Sequence, residues 1–137
     1  MVADGGDWIK SAAREFKILR KGLPEHVYVQ VCEDRLDLIR AYIAGPEGTP
    51  YDGGLFVFDI HLGADYPQKP PSVLFWSFGR QINPNLYDSG KVCLSLLNTW
   101  RGRTEQMWTA GKSTLLQVCH ILHMLAHCYN SDSQQHN

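Results

Sequence analysis

No run of this sequence approaches the roughly 20 consecutive apolar residues with which a helix crosses a bilayer. Its start, Met1-Val2-Ala3-Asp4-Gly5-Gly6, lacks the basic and apolar regions of a secretory leader. Both absences lead us to expect a protein that stays inside the cell, in the cytoplasm or the nucleus. An excess of charge of one sign is also missing: 13 Lys and Arg face 14 Asp and Glu, a formal net charge of -1. A protein that owes its affinity to neutralising phosphates or anionic lipid carries a basic excess, so nucleic acid and membrane are poor candidates as partners. Cysteines are few, at 32, 93, 119 and 128, and no two form a CxxC pair. That spacing excludes a zinc ribbon and a thioredoxin-like motif. In a reducing compartment they are free thiols, and the default role of each is a small buried apolar side chain.

Of the 137 residues, 44% are hydrophobic, enough for one compact core and too few for two. Residues 1–129 are expected to form a single domain, and the polar stretch 130–137 a disordered tail. Trp8, Ala12, Phe16 and Leu19 recur at helical spacing with Ile9 and Ala13 beside them, while Lys10, Arg14, Lys17 and Lys21 fall largely elsewhere. This predicts an amphipathic helix. Asp7 is placed to cap it, and Gly22 followed by Pro24 to end it. Strand-like runs follow at 27–31, 36–44, 55–62 and 72–76, separated by turn-rich segments at 33–35, 45–54 and 66–71. Connections this short favour an antiparallel meander. From 79 to 111 the periodicity fades, and an irregular stretch of that length in so small a domain tends to be functional. Leu115, Val118, Cys119, Leu122, Leu125 and Ala126 then mark a second helix, with Thr114 and Gln117 at capping-box spacing. The predicted class is α+β: an N-terminal helix, a four-stranded antiparallel meander sheet, a long irregular loop and a C-terminal helix.

Residues 83–97 place a polar turn ahead of a cysteine with apolar neighbours. They read Asn83-Pro84-Asn85-Leu86-Tyr87, then Gly90-Lys91-Val92-Cys93-Leu94. With the bend Tyr66-Pro67-Gln68-Lys69-Pro70-Pro71 and the downstream Trp100 and Trp108, this order and spacing resembles the ubiquitin-conjugating enzyme family over about residues 8–118. The series Leu96-Leu97-Asn98-Thr99-Trp100 and the long loop after it look most similar to the large hybrid conjugating enzymes of plants. The resemblance implies a UBC-like fold and a chain that accepts ubiquitin from the activating enzyme, then passes it to a substrate lysine or a ligase. Cys93 would hold ubiquitin as a thioester, because a thiolate is both a good nucleophile and a good leaving group. That reaction calls for no metal or organic cofactor in this domain.

The side-chain amide of Asn85 is a donor suited to the oxyanion that forms when an amine attacks the thioester. Asn85 can equally tie the turn together by local hydrogen bonds, and both roles can hold. Tyr87 can line the acceptor channel and help desolvate a lysine, or it can pack the turn. The resemblance also sets the first helix and the 66–71 bend against the activating enzyme and a ligase. Lys10, Arg14 and Lys17 suit that role, although by themselves they read as a solvated basic face. Trp100 and Trp108 serve either as exposed contacts or as packing.

Departures from the family pattern bear on these expectations. Asn83 stands where the family usually has histidine, at a position expected to support the turn rather than react. Gln68 replaces an aromatic residue of the bend, which puts pairing with the usual ligases in question. After Val118 the run from Cys119 to Cys128 leaves the pattern, where the resemblance calls for further helices. A helical layer cut short there is expected to leave Ile121, Leu122 and Leu125 short of partners. Cys119, His123 and His127 fall at i, i+4 and i+8, part of a metal site at most, with ordinary helix packing as the expected role. Two other functions stay open. One is a non-catalytic interaction module of the same fold, against which the presence of Cys93 argues. The other is a carrier of a different ubiquitin-like modifier, since the 92–97 run and Tyr87 also resemble the conjugating enzyme for the small modifier.

Overall fold

The computed structural model describes residues 5–45, 47–48 and 52–132, with the backbone alone over 127–132. Helix α1 (Gly5–Gly22) buries Ala12 and Leu19 and half-buries Trp8 and Phe16. Its buried face is centred on Ala12, Glu15 and Leu19 and is narrower than the hydrophobic stripe. Ile9 and Ala13 lie round its side and face solvent, contrary to the stripe read from sequence. Asp7 sits within the first turn rather than at the cap.

The strands β1 (Val27–Val31), β2 (Leu38–Ala44), β3 (Leu55–His61) and β4 (Ser72–Phe75) form one sheet in chain order, each pair antiparallel. β2 begins two residues later than the expected 36, because a turn tightens just before it. There the Leu38 N–H donates to the Arg35 carbonyl at 2.9 Å, and the Arg35 guanidinium forks onto the Asp37 carboxylate at 3.0 and 2.8 Å. Alternation along β2 and β3 turns Ile39, Ala41, Ile43, Phe56, Phe58 and Ile60 to one buried face.

Helix α2 (Leu115–Asp132) brings Leu115, Val118, Cys119, Leu122 and Ala126 into the same core and packs on α1 and β2. The capping box is made as its spacing suggests. The Thr114 N–H donates to Gln117 Oε1 at 3.1 Å, and the Gln117 N–H to Thr114 Oγ1 at 3.2 Å. Leu122 is fully buried, which overturns the expectation that it lacks partners; Ile121 and Leu125 are half-buried against the core. The row 115, 118 and 122 faces the core, so the helix's cover is centred on Leu122 and the other two flank it. The helix runs past residue 129, making the start of the expected tail helical, and 133–137 lie outside the described residues.

The inner face of α1 also carries a carboxylate. Glu15, 6% exposed, accepts hydrogen bonds from the Tyr66 hydroxyl at 2.8 Å and from the Leu115 backbone N–H at 3.0 Å. The second bond satisfies an N–H left open at the start of α2, where the helix dipole also favours negative charge. Burial, and then Glu15 itself, hold the Tyr66 phenol well above its ordinary range. Burial, again reinforced by Glu15, pushes the Cys119 thiol up to about 12.

Candidate active site

Beyond β4 the chain folds back on the sheet edge. Isolated bridges pair Leu74 with Lys91, Leu86 with Val92 and Asn83 with Leu86, and the Phe75 N–H donates to the Gly90 carbonyl at 2.8 Å. Gly90 makes this approach possible. It has φ +94°, and a Cβ there would stand 2.9 Å from the Phe75 carbonyl oxygen, so a side chain is excluded by both conformation and space. The turn it closes is held by Gly90 N–H to the Tyr87 carbonyl at 3.0 Å and by Tyr87 N–H to the Lys91 carbonyl at 2.9 Å.

Cys93 follows, fixed from both sides. On one side its N–H donates to the Asn85 carbonyl at 2.9 Å, and the Asn85 side-chain Nδ2 donates to the Cys93 carbonyl at 2.8 Å. Asn85 is itself held by Asn83, whose Oδ1 accepts the Asn85 N–H at 2.8 Å. Asn83 is buried and its Nδ2 reaches the Leu125 carbonyl of α2 at 3.5 Å. It thus supports the turn, as expected for this position. On the other side the Thr99 hydroxyl donates to the Val92 carbonyl at 2.8 Å and accepts the Leu94 N–H at 3.0 Å. A short 3-10 turn, Ser95–Leu97, leads to Asn98 in the left-handed region, and the Asn98 Oδ1 accepts the Trp108 N–H at 3.2 Å.

Cys93 is 3% exposed and lines a groove of about 570 Å³ together with Asn85, Leu96, Trp100, Met107 and Gln117. Cys93 and Asn85 are therefore brought together, whereas Tyr87 is half-buried in its turn and is not among the residues lining this groove. The tryptophans divide. Trp100 is 57% exposed on the groove, while Trp108 is buried, packs on the Tyr66 ring at 5.7 Å and donates its indole N–H to the Pro67 carbonyl at 2.7 Å. Lys10, Arg14 and Lys17 are exposed on α1, as is Gln68 on the bend. Cys119 is buried in the core, the side chain of His127 lies outside the described residues, and among the described residues no three metal-ligating groups come together.

Sequence reasoning missed Glu15 and Thr99. Glu15 sits at i+3 from Ala12 and i−4 from Leu19, so a carboxylate on the buried stripe was the available signal. Thr99 carried no comparable signal, because its role depends on a reversal of the chain at Asn98.

Solved structures share this architecture. A human ubiquitin-conjugating enzyme E2 G1 superposes with a TM-score of 0.72 over 93% of this chain and 98% of its own, at 24% identity, a likeness that establishes the UBC-type fold. A Toxoplasma gondii ubiquitin-conjugating enzyme E2 domain superposes with a TM-score of 0.64 at 30% identity, over 84% of this chain and 73% of its own. The chain belongs to the ubiquitin-conjugating enzyme family, whose model matches residues 11–137, including the stretch after Val118 that departs from the motif order. It is 54% identical over 112 residues to ubiquitin-conjugating enzyme E2 38 of Arabidopsis thaliana, covering 82% of this chain and 34% of that protein. To the human dual E2 ubiquitin-conjugating enzyme/E3 ubiquitin-protein ligase BIRC6 it is 45% identical over 113 residues, covering 77% of this chain and 2% of that protein. The chain thus spans about a third or less of the length of these curated relatives.

Proposed function

We propose that this chain accepts the C-terminus of ubiquitin as a thioester on Cys93 and passes it to an amine of a substrate or on to a ligase. The observation that carries the reading is the placing of Cys93 between hydrogen-bonded clamps, on a groove it shares with the side-chain amide of Asn85. A fixed thiolate serves as nucleophile in charging and as leaving group in discharge. The Asn85 amide has two N–H bonds, of which one anchors the Cys93 carbonyl. The second is available to an oxyanion forming beside Cys93, so the anchoring and catalytic roles are compatible. Tyr87 acts at most from outside the groove, by shaping the turn.

The same reading assigns the partners: ubiquitin, an activating enzyme, a ligase and a protein substrate. The exposed Lys10, Arg14 and Lys17 of α1 and the 66–71 bend are the surfaces offered to the activating enzyme and the ligase. A chain that works through a free thiol fits a reducing compartment, the cytoplasm or the nucleus. Incubation with activating enzyme, ATP and ubiquitin should give an adduct that reductant removes. Cys93→Ser should give at most a reductant-stable ester, and changes at Cys32, Cys119 or Cys128 should leave charging in place. Charging that survives Cys93→Ala would sink the assignment. Ubiquitin run beside other modifiers in the same assay decides which one the chain carries.

A further inference from the structure

Two peptide planes flank the Cα of Cys93, and each is gripped at both ends. In the plane before it, the Val92 carbonyl accepts the Thr99 hydroxyl at 2.8 Å and the Cys93 N–H donates to the Asn85 carbonyl at 2.9 Å. In the plane after it, the Cys93 carbonyl accepts from Asn85 Nδ2 at 2.8 Å and the Leu94 N–H donates to Thr99 Oγ1 at 3.0 Å. Asn85 thus holds one end of each plane and Thr99 the other. A peptide plane is stiff, so fixing both leaves φ and ψ of Cys93 little play and sets the direction of its Cα–Cβ bond. One hydroxyl serves both planes, because it donates its single proton and accepts at a lone pair. Thr99 reaches this point because Asn98, at φ 56°, turns the chain back after the 3-10 turn, and the Thr99 N–H then meets the Leu94 carbonyl at 3.2 Å. The loop beyond lies on the same turn: a Cβ at Gly102 would stand 2.6 Å from that of Ser95.

We propose that Thr99 is a positioning residue for transfer: by holding the outer end of both planes it aims the thioester on Cys93 at the free N–H of the Asn85 amide. This rests on the reading of Cys93 as a ubiquitin carrier and of Asn85 as its oxyanion donor. Without the hydroxyl each plane is held at one end only, by Asn85, and rocks about that hold. The thiol is still there to be charged, but the carbonyl attached to it no longer keeps a fixed distance from the donor. An oxyanion donor acts over a short range, and a displacement of about 1 Å is worth up to about a hundredfold in rate. Thr99 is not among the residues lining the groove, and its hydroxyl bonds only to backbone. Its effect on transfer therefore passes through the placing of Cys93 against Asn85.

The test is a double-mutant cycle on discharge. Each chain is charged with ubiquitin, the activating enzyme is quenched by chelating its magnesium, and the loss of thioester to free lysine is followed. Rates are taken per unit of thioester formed, which removes any change in the folded fraction. Thr99→Val should charge like the parent and discharge on the order of tenfold more slowly, with Thr99→Ala alike and Thr99→Ser, which keeps the hydroxyl, close to the parent. In an Asn85→Ala background Thr99→Val should slow discharge by less than about twofold further, because the donor it aims at is gone. A residue that only supports the loop would lower the rate by the same factor in both backgrounds. Equal factors overturn the inference, as do parental discharge by Thr99→Val, a Thr99→Ser chain as slow as Thr99→Val, or loss of charging in both Thr99→Val and Thr99→Ala. Each of these leaves the carrier reading standing, since the parent's reductant-sensitive adduct tests that reading by itself. A parent that forms no such adduct sinks both.

Discussion

The 83–93 turn shows how far single residues explain the site. Asn83, Asn85 and Cys93 were legible from sequence because their spacing follows a family motif, yet their division of labour was not. That division depends on which atoms meet: the Asn83 side chain takes the Asn85 N–H, and the Asn85 side chain takes the Cys93 carbonyl. Asn85→Ala removes both side-chain N–H bonds at once. The Cys93 N–H to Asn85 carbonyl bond is made by the backbone and survives, so the cysteine keeps its place and charging should continue. Discharge to free lysine should slow by about tenfold to a thousandfold, the range seen when an oxyanion donor is lost. Asn85→Asp keeps the size but sets a carboxylate against the Cys93 carbonyl and the developing negative charge, so it should discharge no faster than Asn85→Ala. Single-turnover assays that separate the two steps decide the matter. Equal losses in charging and discharge would assign Asn85 to the turn alone.

Among the elements, the strands were the most legible, because a half-buried sheet writes itself as alternation and β1 and β4 begin where the pattern begins. The start of β2 was not, since alternation continues through residues whose backbone a side-chain network has already turned. Asp37 is the centre of that network. It accepts from Arg35 and, at 3.1 Å, from His61 Nε2 of β3, tying the β1–β2 turn to the sheet. The Arg35 hydrogen bonds, aided by His61 and opposed by desolvation, hold the Asp37 carboxyl down from 3.8 to about 2. A carboxylate with a depressed folded-state pKa adds stability above its unfolded pKa and loses it as pH falls through the folded one. The network should therefore stabilise the chain fully above about pH 4 and lose its effect between pH 4 and 2, weakened throughout by solvent screening of an exposed pair. Urea unfolding across pH 2 to 6 should show a smaller acid-range slope for Asp37→Asn than for the parent. Identical slopes would mean that the turn does not depend on this charge.

At the scale of the molecule, what joins the helices to the bend beside the site is a polar contact that no periodicity announces. Sequence patterns find surfaces that exclude water, and a carboxylate on such a surface looks like an error until its partners, separated by 51 and 100 residues, are known. Glu15 joins α1 to the 66–71 bend and to the first turn of α2. The bend in turn receives the indole of Trp108 from the loop that walls the groove. Removing the carboxylate leaves a buried hydroxyl and a buried helix-end N–H unpaired, at roughly 1–3 kcal/mol each. Glu15→Ala should therefore cost about 2–6 kcal/mol, a large share of the 5–15 kcal/mol typical of a domain. Glu15→Gln is the informative variant. Its amide oxygen can still accept the Leu115 N–H, and its amide nitrogen can donate to the Tyr66 oxygen once that hydroxyl rotates, so both contacts survive without their charge-assisted strength. Its cost should fall near 1–2 kcal/mol, clearly below that of Glu15→Ala. Equilibrium denaturation at neutral pH measures both, with an unchanged m-value required for the comparison to hold. If Glu15→Gln destabilises as much as Glu15→Ala, the charge and not the hydrogen bonding holds the junction. If Glu15→Ala costs under about 1 kcal/mol, the junction is not what fastens α2 to the bend.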